Sequence, residues 1–383
     1  MEKMKTQSRW ATVILIVSLA AVGLAPAKAK RPSADVAATA PGIERRLAEF
    51  ANQYLPYDPD SKVAVQKADL KLPGFTSWKI NRTGRYEALK AEATVFVSND
   101  RKWFYEGDSF ANRNARPVRS AADLGWIVSR YANLFHASVR GKLEPERDAA
   151  GLKGISIALE TGFGPVRVPG LVTSDGSAFL SGTLWDFQSD PRAERRRRVD
   201  LTAQRAQGNA DAPVTIVEFA DMECSYCRFR GRHLDKLLAA NRGIVNVRRH
   251  YKFFPLWSHH AWAMKAASGG DCLFRLASPA ALFRFKELAY SRQESLSVSA
   301  IDELAITSAE GEGVARPDFL ECYLRDESFD RIRKDMEEGY RLAVNSTPTF
   351  FVDGTQINWI EDKVMEDYLR TKFPQMKSIT YEK

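Results

Sequence analysis

The chain has 383 residues, 44% of them apolar and 27% charged, which is enough for two globular domains and excludes a disordered or fibrous protein. Its net charge of +8 would suit nucleic acid or anionic lipid, but much of the excess lies at the N-terminus and in residues 195–198. A solvated basic linker explains that run better, and no other basic stripe is interleaved with aromatic residues. We therefore expect no nucleic-acid partner.

The N-terminus carries the pattern of an export signal. Basic residues precede a largely apolar stretch at 10–25, and small residues follow it, so we predict a signal peptide at 1–29 and a tether at 30–42. The stretch of sixteen residues is shorter than the roughly 20 that span a bilayer comfortably. We expect export to the periplasm; an inner-membrane anchor facing the periplasm is the alternative.

The next part of the chain predicts an α+β domain over residues 43–190. Apolar residues recur at helical spacing in 43–55 and in 121–135. Two segments, 97–107 and 172–182, share a strand, turn, strand pattern. In the second segment the pair Asp175-Gly176 is typical of a two-residue hairpin turn. The domain shows no cluster of Cys, His or carboxylate residues, so we assign it no chemistry.

Residues 191–212 hold the arginine run and several turn-forming residues, and they predict a linker between two domains. From 213 to 383 the pattern changes to alternating strands and helices, with a long helical block at about 258–343. The remaining elements are strands at 214–219, 244–254 and 349–352, a helix after residue 224, and a final helix at 360–369.

Two of the four cysteines, Cys224 and Cys227, stand in C-x-x-C spacing where a predicted strand passes into a helix. Free backbone N–H groups at a helix N-terminus stabilise a thiolate, the reactive form of cysteine, and a second cysteine one turn later can resolve a mixed disulfide. Half of a zinc site is the alternative, but Cys272 and Cys322 stand alone in sequence. Haem attachment would require His in place of Arg228.

The second signal is Thr347-Pro348, directly before the strand at 349–352. A proline there is ordinarily a turn residue. Downstream of a strand-linked C-x-x-C, it also suggests a cis peptide bond that holds Thr347 beside Cys224, with backbone groups open to an extended substrate.

Together these motifs resemble the DsbA-like thiol:disulfide oxidoreductases over about residues 205–375. The matching motifs are Ala212-Pro213-Val214 through Glu218-Phe219, Cys224-Ser225-Tyr226-Cys227, Phe253-Phe254-Pro255-Leu256 with His260-Ala261, and Ser346-Thr347-Pro348 through Asp353-Gly354. The resemblance implies an α/β thioredoxin fold with an inserted helical subdomain, preceded here by a separate α+β domain.

The resemblance also implies roles for individual residues. Cys224 would be the nucleophile, Cys227 the resolving thiol and Pro348 the cis-proline. Glu218 matches a buried acidic residue under the active site, where it could relay a proton to Cys227. The alternative for Glu218 is an exposed carboxylate on an edge strand. We expect Asp221 and Glu223, on the approach loop, to be solvated.

Residues 172–186 resemble the strand pair in the dimerisation domain of DsbC-type and DsbG-type isomerases, which raises the hypothesis of a homodimer. The dipeptide Ser225-Tyr226 is neither the Pro-His of DsbA-type oxidants nor the Gly-Tyr of DsbC-type isomerases. Because the intervening residues tune thiolate stability, the redox direction stays open.

Cys272 and Cys322 lie on two predicted helices of the inserted block. In an exported protein we favour a structural disulfide between them, worth about 4 kcal/mol by chain-entropy reasoning, over two buried free thiols.

These observations favour a periplasmic enzyme that exchanges disulfides with exported proteins through a mixed disulfide at Cys224, with the oxidase direction preferred. No cofactor or metal is needed beyond its thiols. The resemblance implies a membrane redox partner, either a DsbB-like or vitamin K epoxide reductase-like oxidase, or a DsbD-like reductant for the reverse direction. The alternatives are a dimeric isomerase or reductase and a peptide-binding chaperone with non-catalytic cysteines.

Overall fold

A computed structural model describes residues 42–112, 114–135, 137–203, 205–359 and 361–380. The predicted signal peptide at 1–29, and the predicted tether apart from residue 42, lie outside the described residues. The described residues belong to one compact unit. Among them, no helix combines the length and the apolar character that a membrane crossing requires.

The described residues of the N-terminal part form two antiparallel sheets and two α-helices. The first sheet has the strand order β1-β2-β3-β4-β10, and the second has the order β5-β9-β8-β7-β6. The elements are α1 (Gly42–Tyr54), β1 (Lys62–Lys67), β2 (Phe75–Thr83), β3 (Ala91–Ser98), β4 (Trp103–Glu106), β5 (Ser109–Ala111), α2 (Gly125–Phe135), β6 (Val139–Leu143), β7 (Leu152–Thr161), β8 (Gly164–Thr173), β9 (Ala178–Ser181) and β10 (Trp185–Asp186).

Helix α1 covers the first sheet with the apolar stripe that its periodicity predicts. Phe50 lies on this stripe, is fully buried, and contacts Phe104 of β4 with ring centroids 4.7 Å apart. On the sheet, Trp78 of β2 lies opposite Val95 of β3, and both are buried. Helix and sheet therefore share one core.

Both predicted strand–turn–strand segments are present, as β3–β4 and β8–β9. The turn between β8 and β9 differs from the predicted two-residue hairpin, because residues 174–177 form a four-residue loop. Its turn is closed by the Gly176 N–H, which donates to the Thr173 carbonyl at 2.8 Å. Gly176 alone in this loop has a positive φ, +72°, and a single position of that kind does not suit the two-residue type I′ turn.

The structure corrects the predicted linker at 191–212. Helix α3 (Pro191–Arg198) begins after Asp190, whose side chain accepts the Arg192 N–H, and Pro191 occupies the first turn. Arg195 is fully buried rather than solvated, and its Nη2 donates to the Tyr54 carbonyl at 2.6 Å. The guanidinium also lies 5.3 Å from the ring centroid of Phe351. Burial is tolerated because backbone acceptors and aromatic faces replace water around the charge.

The C-terminal sheet has the strand order β11-β13-β12-β14-β15. Strands β12 and β13 are parallel, and the remaining pairs are antiparallel. The elements are β11 (Ala206–Gly208), β12 (Val214–Ala220), α4 (Ser225–Ala240), β13 (Val247–Phe253), α5 (Ala263–Leu276), α6 (Pro279–Arg292), α7 (Val298–Gly311), α8 (Arg316–Tyr323), α9 (Asp326–Arg341), β14 (Thr349–Val352), β15 (Thr355–Ile357) and α10 (Val364–Lys372).

This order confirms the predicted fold class. Helix α4 connects the parallel strands β12 and β13, and helices α5 to α9 form an insertion before β14, as in a thioredoxin fold with an added helical subdomain. Strand β11 belongs to the same sheet, so the C-terminal fold begins inside the segment predicted as a linker.

The N-terminal and C-terminal parts keep separate sheets, but they pack directly on each other. Phe163, between β7 and β8, contacts Phe329 of α9 with ring centroids 4.9 Å apart. At the end of α2, Phe135 stacks on Trp257, which follows β13, at 6.2 Å. Both parts contribute residues to shared cores.

Candidate active site

Cys224 and Cys227 lie where the central strand β12 passes into α4. Cys224 is the N-cap of the helix, and Cys227 lies in its first turn. Both are free thiols. Cys224 retains 7% of its surface exposed and Cys227 retains none. Both thiols are therefore buried, and only Cys224 keeps a small accessible area.

The surroundings of Cys224 favour its thiolate. Its pKa is lowered to about 6, first by a hydrogen bond from Cys227 and then by one from Thr347, while burial acts in the opposite direction. The position of Cys224 at the helix N-terminus also lowers its pKa, because unpaired N–H groups and the helix dipole stabilise a negative charge there. A substantial thiolate fraction is thus present at neutral pH.

Cys227 is held in the opposite state. Burial raises the pKa of its thiol well above the ordinary value, and the hydrogen bond to Cys224 and the Cys224 charge add to the effect. When the pair carries a single proton, that proton is thus on Cys227, which donates it in a hydrogen bond to the Cys224 thiolate.

The Thr347–Pro348 peptide bond is cis. It precedes β14, which pairs antiparallel with β12 in a register that places Thr349 opposite Phe219. This pairing brings residue 347 to the end of β12, where the protonated Cys224 Sγ donates to the Thr347 carbonyl at 3.4 Å. The Thr347 hydroxyl is buried and has no hydrogen-bond partner in this state.

Glu218 is fully buried in β12, the middle strand of its sheet, so it is not an exposed edge carboxylate. Its Oε2 accepts from Arg249 of β13, with Nε at 2.8 Å and Nη2 at 2.6 Å. Its Oε1 has no partner among the described residues. Glu218 thus forms a buried ion pair with Arg249, and among the described residues no hydrogen bond joins it to either sulfur.

The thioredoxin family profile matches residues 200–370. This range contains the C-terminal sheet, the cysteine pair and the cis-proline. The match agrees with the thioredoxin fold of this part of the chain.

Curated relatives align with part of the chain. A Na(+)/H(+) antiporter, NhaA 3 of Salinispora tropica, is 30% identical over 156 residues, which is 41% of this chain and 22% of the antiporter. The chain therefore spans about a fifth of the length of that relative. A probable disulfide bond formation protein D of Bacillus anthracis is 22% identical over 203 residues, which is 49% of this chain and 88% of that protein.

Two solved structures are also similar to the chain. Oxidised BdbD of Bacillus subtilis has 19% identity and a TM-score of 0.41, covering 46% of this chain and 95% of its own. The α-DsbA1 of Wolbachia pipientis has 18% identity and a TM-score of 0.40, covering 48% of this chain and 96% of its own.

The other two cysteines of the thioredoxin domain are joined by a disulfide. Cys272 on α5 and Cys322 on α8 are 50 residues apart in sequence and 5.9 Å apart at their Cα atoms. Neither contributes to the site at α4. Among the described residues, no group of three or more His, Cys, Asp or Glu side chains is arranged to hold a metal ion.

Sequence reasoning missed that Asp221 and His260 form a pair next to the loop that leads to Cys224. Asp221 is buried rather than solvated, and its backbone N–H donates to Cys227 Sγ at 3.4 Å. Its Oδ2 lies 2.6 Å from His260 Nδ1. The side chain of Glu223 is also held by the protein, because its Oε2 accepts a hydrogen bond from the Trp262 N–H at 2.7 Å. The signal available in sequence was His260 itself, which follows the Phe254-Pro255 turn at the end of β13.

Proposed function

We propose that this protein is a thiol:disulfide oxidoreductase that acts on the thiols or disulfides of exported proteins. The observation that carries the proposal is the opposite environment of two thiols one helical turn apart. Cys224 caps the helix and keeps 7% of its surface exposed, with a pKa lowered to about 6, whereas Cys227 is fully buried and its pKa is raised. A structural thiol pair or disulfide requires no such difference.

In this mechanism Cys224 is the nucleophile. The reduced enzyme attacks a client disulfide with the Cys224 thiolate, forming a mixed disulfide and releasing a client thiol. Cys227 then loses its proton and attacks Cys224 Sγ, which closes the enzyme disulfide and releases the second client thiol. In the oxidase direction a client thiolate attacks Cys224 Sγ of the Cys224–Cys227 disulfide, and Cys227 leaves and takes up a proton. A second client thiolate then attacks the mixed disulfide, which forms the client disulfide and releases Cys224 as the thiolate.

The residues around the pair fit a polypeptide client. The backbone at Thr347 lies beside Cys224, and backbone groups at such a position can pair with an extended chain. Tyr226, between the two cysteines, is 68% exposed, so an apolar contact is available at the reacting sulfur. Pro348 and Thr347 would therefore position the client, while Cys224 and Cys227 carry the chemistry.

The periplasm is the proposed location, on the strength of the N-terminal signal pattern. The similarity to the Bacillus anthracis protein, whose name describes disulfide bond formation, supports the same class of reaction. A membrane redox partner would restore the enzyme after each turnover. We favour the oxidase direction, for which that partner is a DsbB-like or vitamin K epoxide reductase-like oxidase; a DsbD-like reductant would serve the reverse direction.

The direction is tested by the equilibrium between the dithiol and the disulfide of Cys224 and Cys227 in a series of glutathione buffers, followed by thiol alkylation. A potential near about −120 mV, as in strong oxidants, supports the oxidase. A potential near or below about −270 mV, as in thioredoxin, contradicts it.

A homodimer through residues 172–186 stays a hypothesis. In the structure, β8 packs against α9 of the same chain, where the Arg167 guanidinium lies 3.3 Å from the Glu337 carboxylate. This contact does not favour β8 as a dimer face. Sedimentation of the full chain tests the point, and a monomer would count against the dimeric isomerase.

A further inference from the structure

Cys227 must exchange a proton in every turnover, yet it is sealed from water. Its side chain is fully buried, and burial raises the pKa of the thiol well above the ordinary value. Attack by the thiol on Cys224 therefore needs a base inside the protein, and its departure as a leaving group needs an acid. Two buried carboxylates are candidates, Glu218 on β12 and Asp221 on the loop that follows this strand.

Glu218 is poorly suited to pass a proton to solvent. Its Oε2 is held by the Arg249 guanidinium, and both side chains are buried. Arg249 in turn pairs with Asp235, which is the solvent-facing end of this chain of charges. An arginine does not give up its proton in proteins, so the chain from Glu218 to Asp235 cannot conduct one.

Asp221 has a different connection. Its carboxylate is fully buried and accepts three hydrogen bonds, which come from the Glu223 N–H at 2.7 Å, the Leu256 N–H at 2.8 Å and His260 Nδ1 at 2.6 Å. The His260 side chain is 24% exposed. The buried carboxylate of Asp221, whose charge acts on Cys227, is thus linked to water by an imidazole, which both gains and loses a proton in the physiological range.

The position of this pair follows from the fold. Strand β13 runs parallel to β12, and the chain leaves its end through Phe254, whose N–H donates to the Ala220 carbonyl at 2.9 Å. Residues 254–262 then lie across the loop that leads to Cys224. The two backbone donors on Asp221 fix its carboxylate, and the remaining interaction orients the ring of His260.

We propose that the Asp221–His260 pair is the proton acceptor and donor for Cys227. This inference rests on the function proposed above. When the reduced enzyme closes its disulfide, the Cys227 proton passes to the pair, the Cys227 thiolate attacks Cys224 Sγ, and the client thiolate leaves and later takes a proton from water. When a client thiolate opens the disulfide, the pair returns a proton to the departing Cys227.

The charges around His260 decide whether closure of the disulfide becomes faster or slower as pH rises. Burial lowers the pKa of His260, but the hydrogen bond to Asp221 and the charges of Asp221, Cys224 and Glu223 outweigh that effect and raise it above 6.5. In the mixed disulfide Cys224 carries no charge, and the groups that still raise the pKa of the ring at the closing step are Asp221 and Glu223. His260 is therefore protonated below its raised pKa, and closure of the disulfide should accelerate as pH rises through that value.

The test separates the two steps by stopped flow. Reduced full-length protein is mixed with bis(nitrobenzoate) disulfide, which releases one coloured thionitrobenzoate when Cys224 attacks and a second when Cys227 closes the disulfide. His260→Ala is expected to leave the first phase unchanged and to slow the second on the order of 100-fold, the size of a typical general-base effect. Added imidazole should restore the second phase, and the variant should lose the wild-type rise with pH.

Two variants control the test. His259→Ala removes the neighbouring histidine, whose ring contacts Ser258 and is exposed, and should behave as the wild type in both phases. Glu218→Gln should slow the second phase far less than His260→Ala. A second phase that His260→Ala leaves unchanged, while Glu218→Gln slows it, overturns the inference and leaves the proposed function intact. If Cys224→Ser retains the first phase, the proposed function itself fails.

Discussion

The thioredoxin domain contains two pairs of cysteines, of which one is bonded and the other is free. The degree of burial does not explain this difference. Cys272 and Cys227 are both fully buried. Cys272, inside α5, is bonded to Cys322. Cys227 is free and lies one turn inside α4, with Cys224 at the N-cap of that helix.

The difference lies in which backbone and polar groups surround each sulfur. At α4, the helix N-terminus, the second thiol and Thr347 all stabilise a negative charge on Cys224. Cys272 and Cys322 instead tie two helices of the insertion together. One pair is placed for exchange and the other for cross-linking, and the expected effects of mutation differ accordingly.

The largest expected effect is on exchange itself. Cys224→Ser should abolish reduction of insulin disulfides by the protein, because no other free thiol is exposed among the described residues. The double variant Cys272→Ala/Cys322→Ala should keep most of the exchange rate at a temperature where it stays folded. Loss of exchange in that folded double variant would contradict the division between the pairs.

The second effect is on stability. Removal of the Cys272–Cys322 bond opens a loop of 50 residues, and the entropy gained by the unfolded chain should lower the free energy of unfolding by about 4 kcal/mol. Urea denaturation measures it, with Cys224→Ser as the matched control at the other pair. A loss below about 1 kcal/mol would show that the bond contributes little constraint.

A third effect concerns the buried ion pair between Glu218 and Arg249. Glu218→Gln leaves the Arg249 charge buried with its neighbouring carboxylate removed, and we expect a loss of about 3 kcal/mol in unfolding free energy. Glu287→Gln is the control, because its pair with Arg232 lies at the surface and should change stability by less than about 1 kcal/mol. Equal effects of the two substitutions would contradict the assignment.

The smallest effect is on the acidity of the nucleophile. The rate of Cys224 alkylation should rise with pH and level off above a midpoint near the pKa of about 6, since only the thiolate reacts. The Thr347 hydroxyl has no partner while Cys224 is protonated, and a hydrogen bond from it to the Cys224 thiolate helps to lower that pKa. Thr347→Val should therefore move the midpoint upward, by up to about one pH unit, and Thr347→Ser should leave it in place. A downward shift in the valine variant would contradict this contribution.

The sequence by itself determined the elements whose signals are local. A β-branched strand leading into C-x-x-C placed Cys224 at a helix start, and strand and helix periodicities predicted the thioredoxin fold with its insertion, because both depend on neighbours along the chain. Thr347-Pro348 before a strand was likewise a local signal. The cis peptide bond there agrees with the expectation from that motif.

Only the tertiary structure decided which distant groups meet. Arg195 belongs to a run that composition assigns to solvent, yet it lies among Tyr54, Trp185 and Phe351. Asp221 and His260 are 39 residues apart, and they touch because β12 and β13 are parallel neighbours whose carboxyl ends meet at one edge of the sheet. Periodicity reports which face of an element is apolar, whereas the partner of a buried charge depends on how strands are paired and how helices cross.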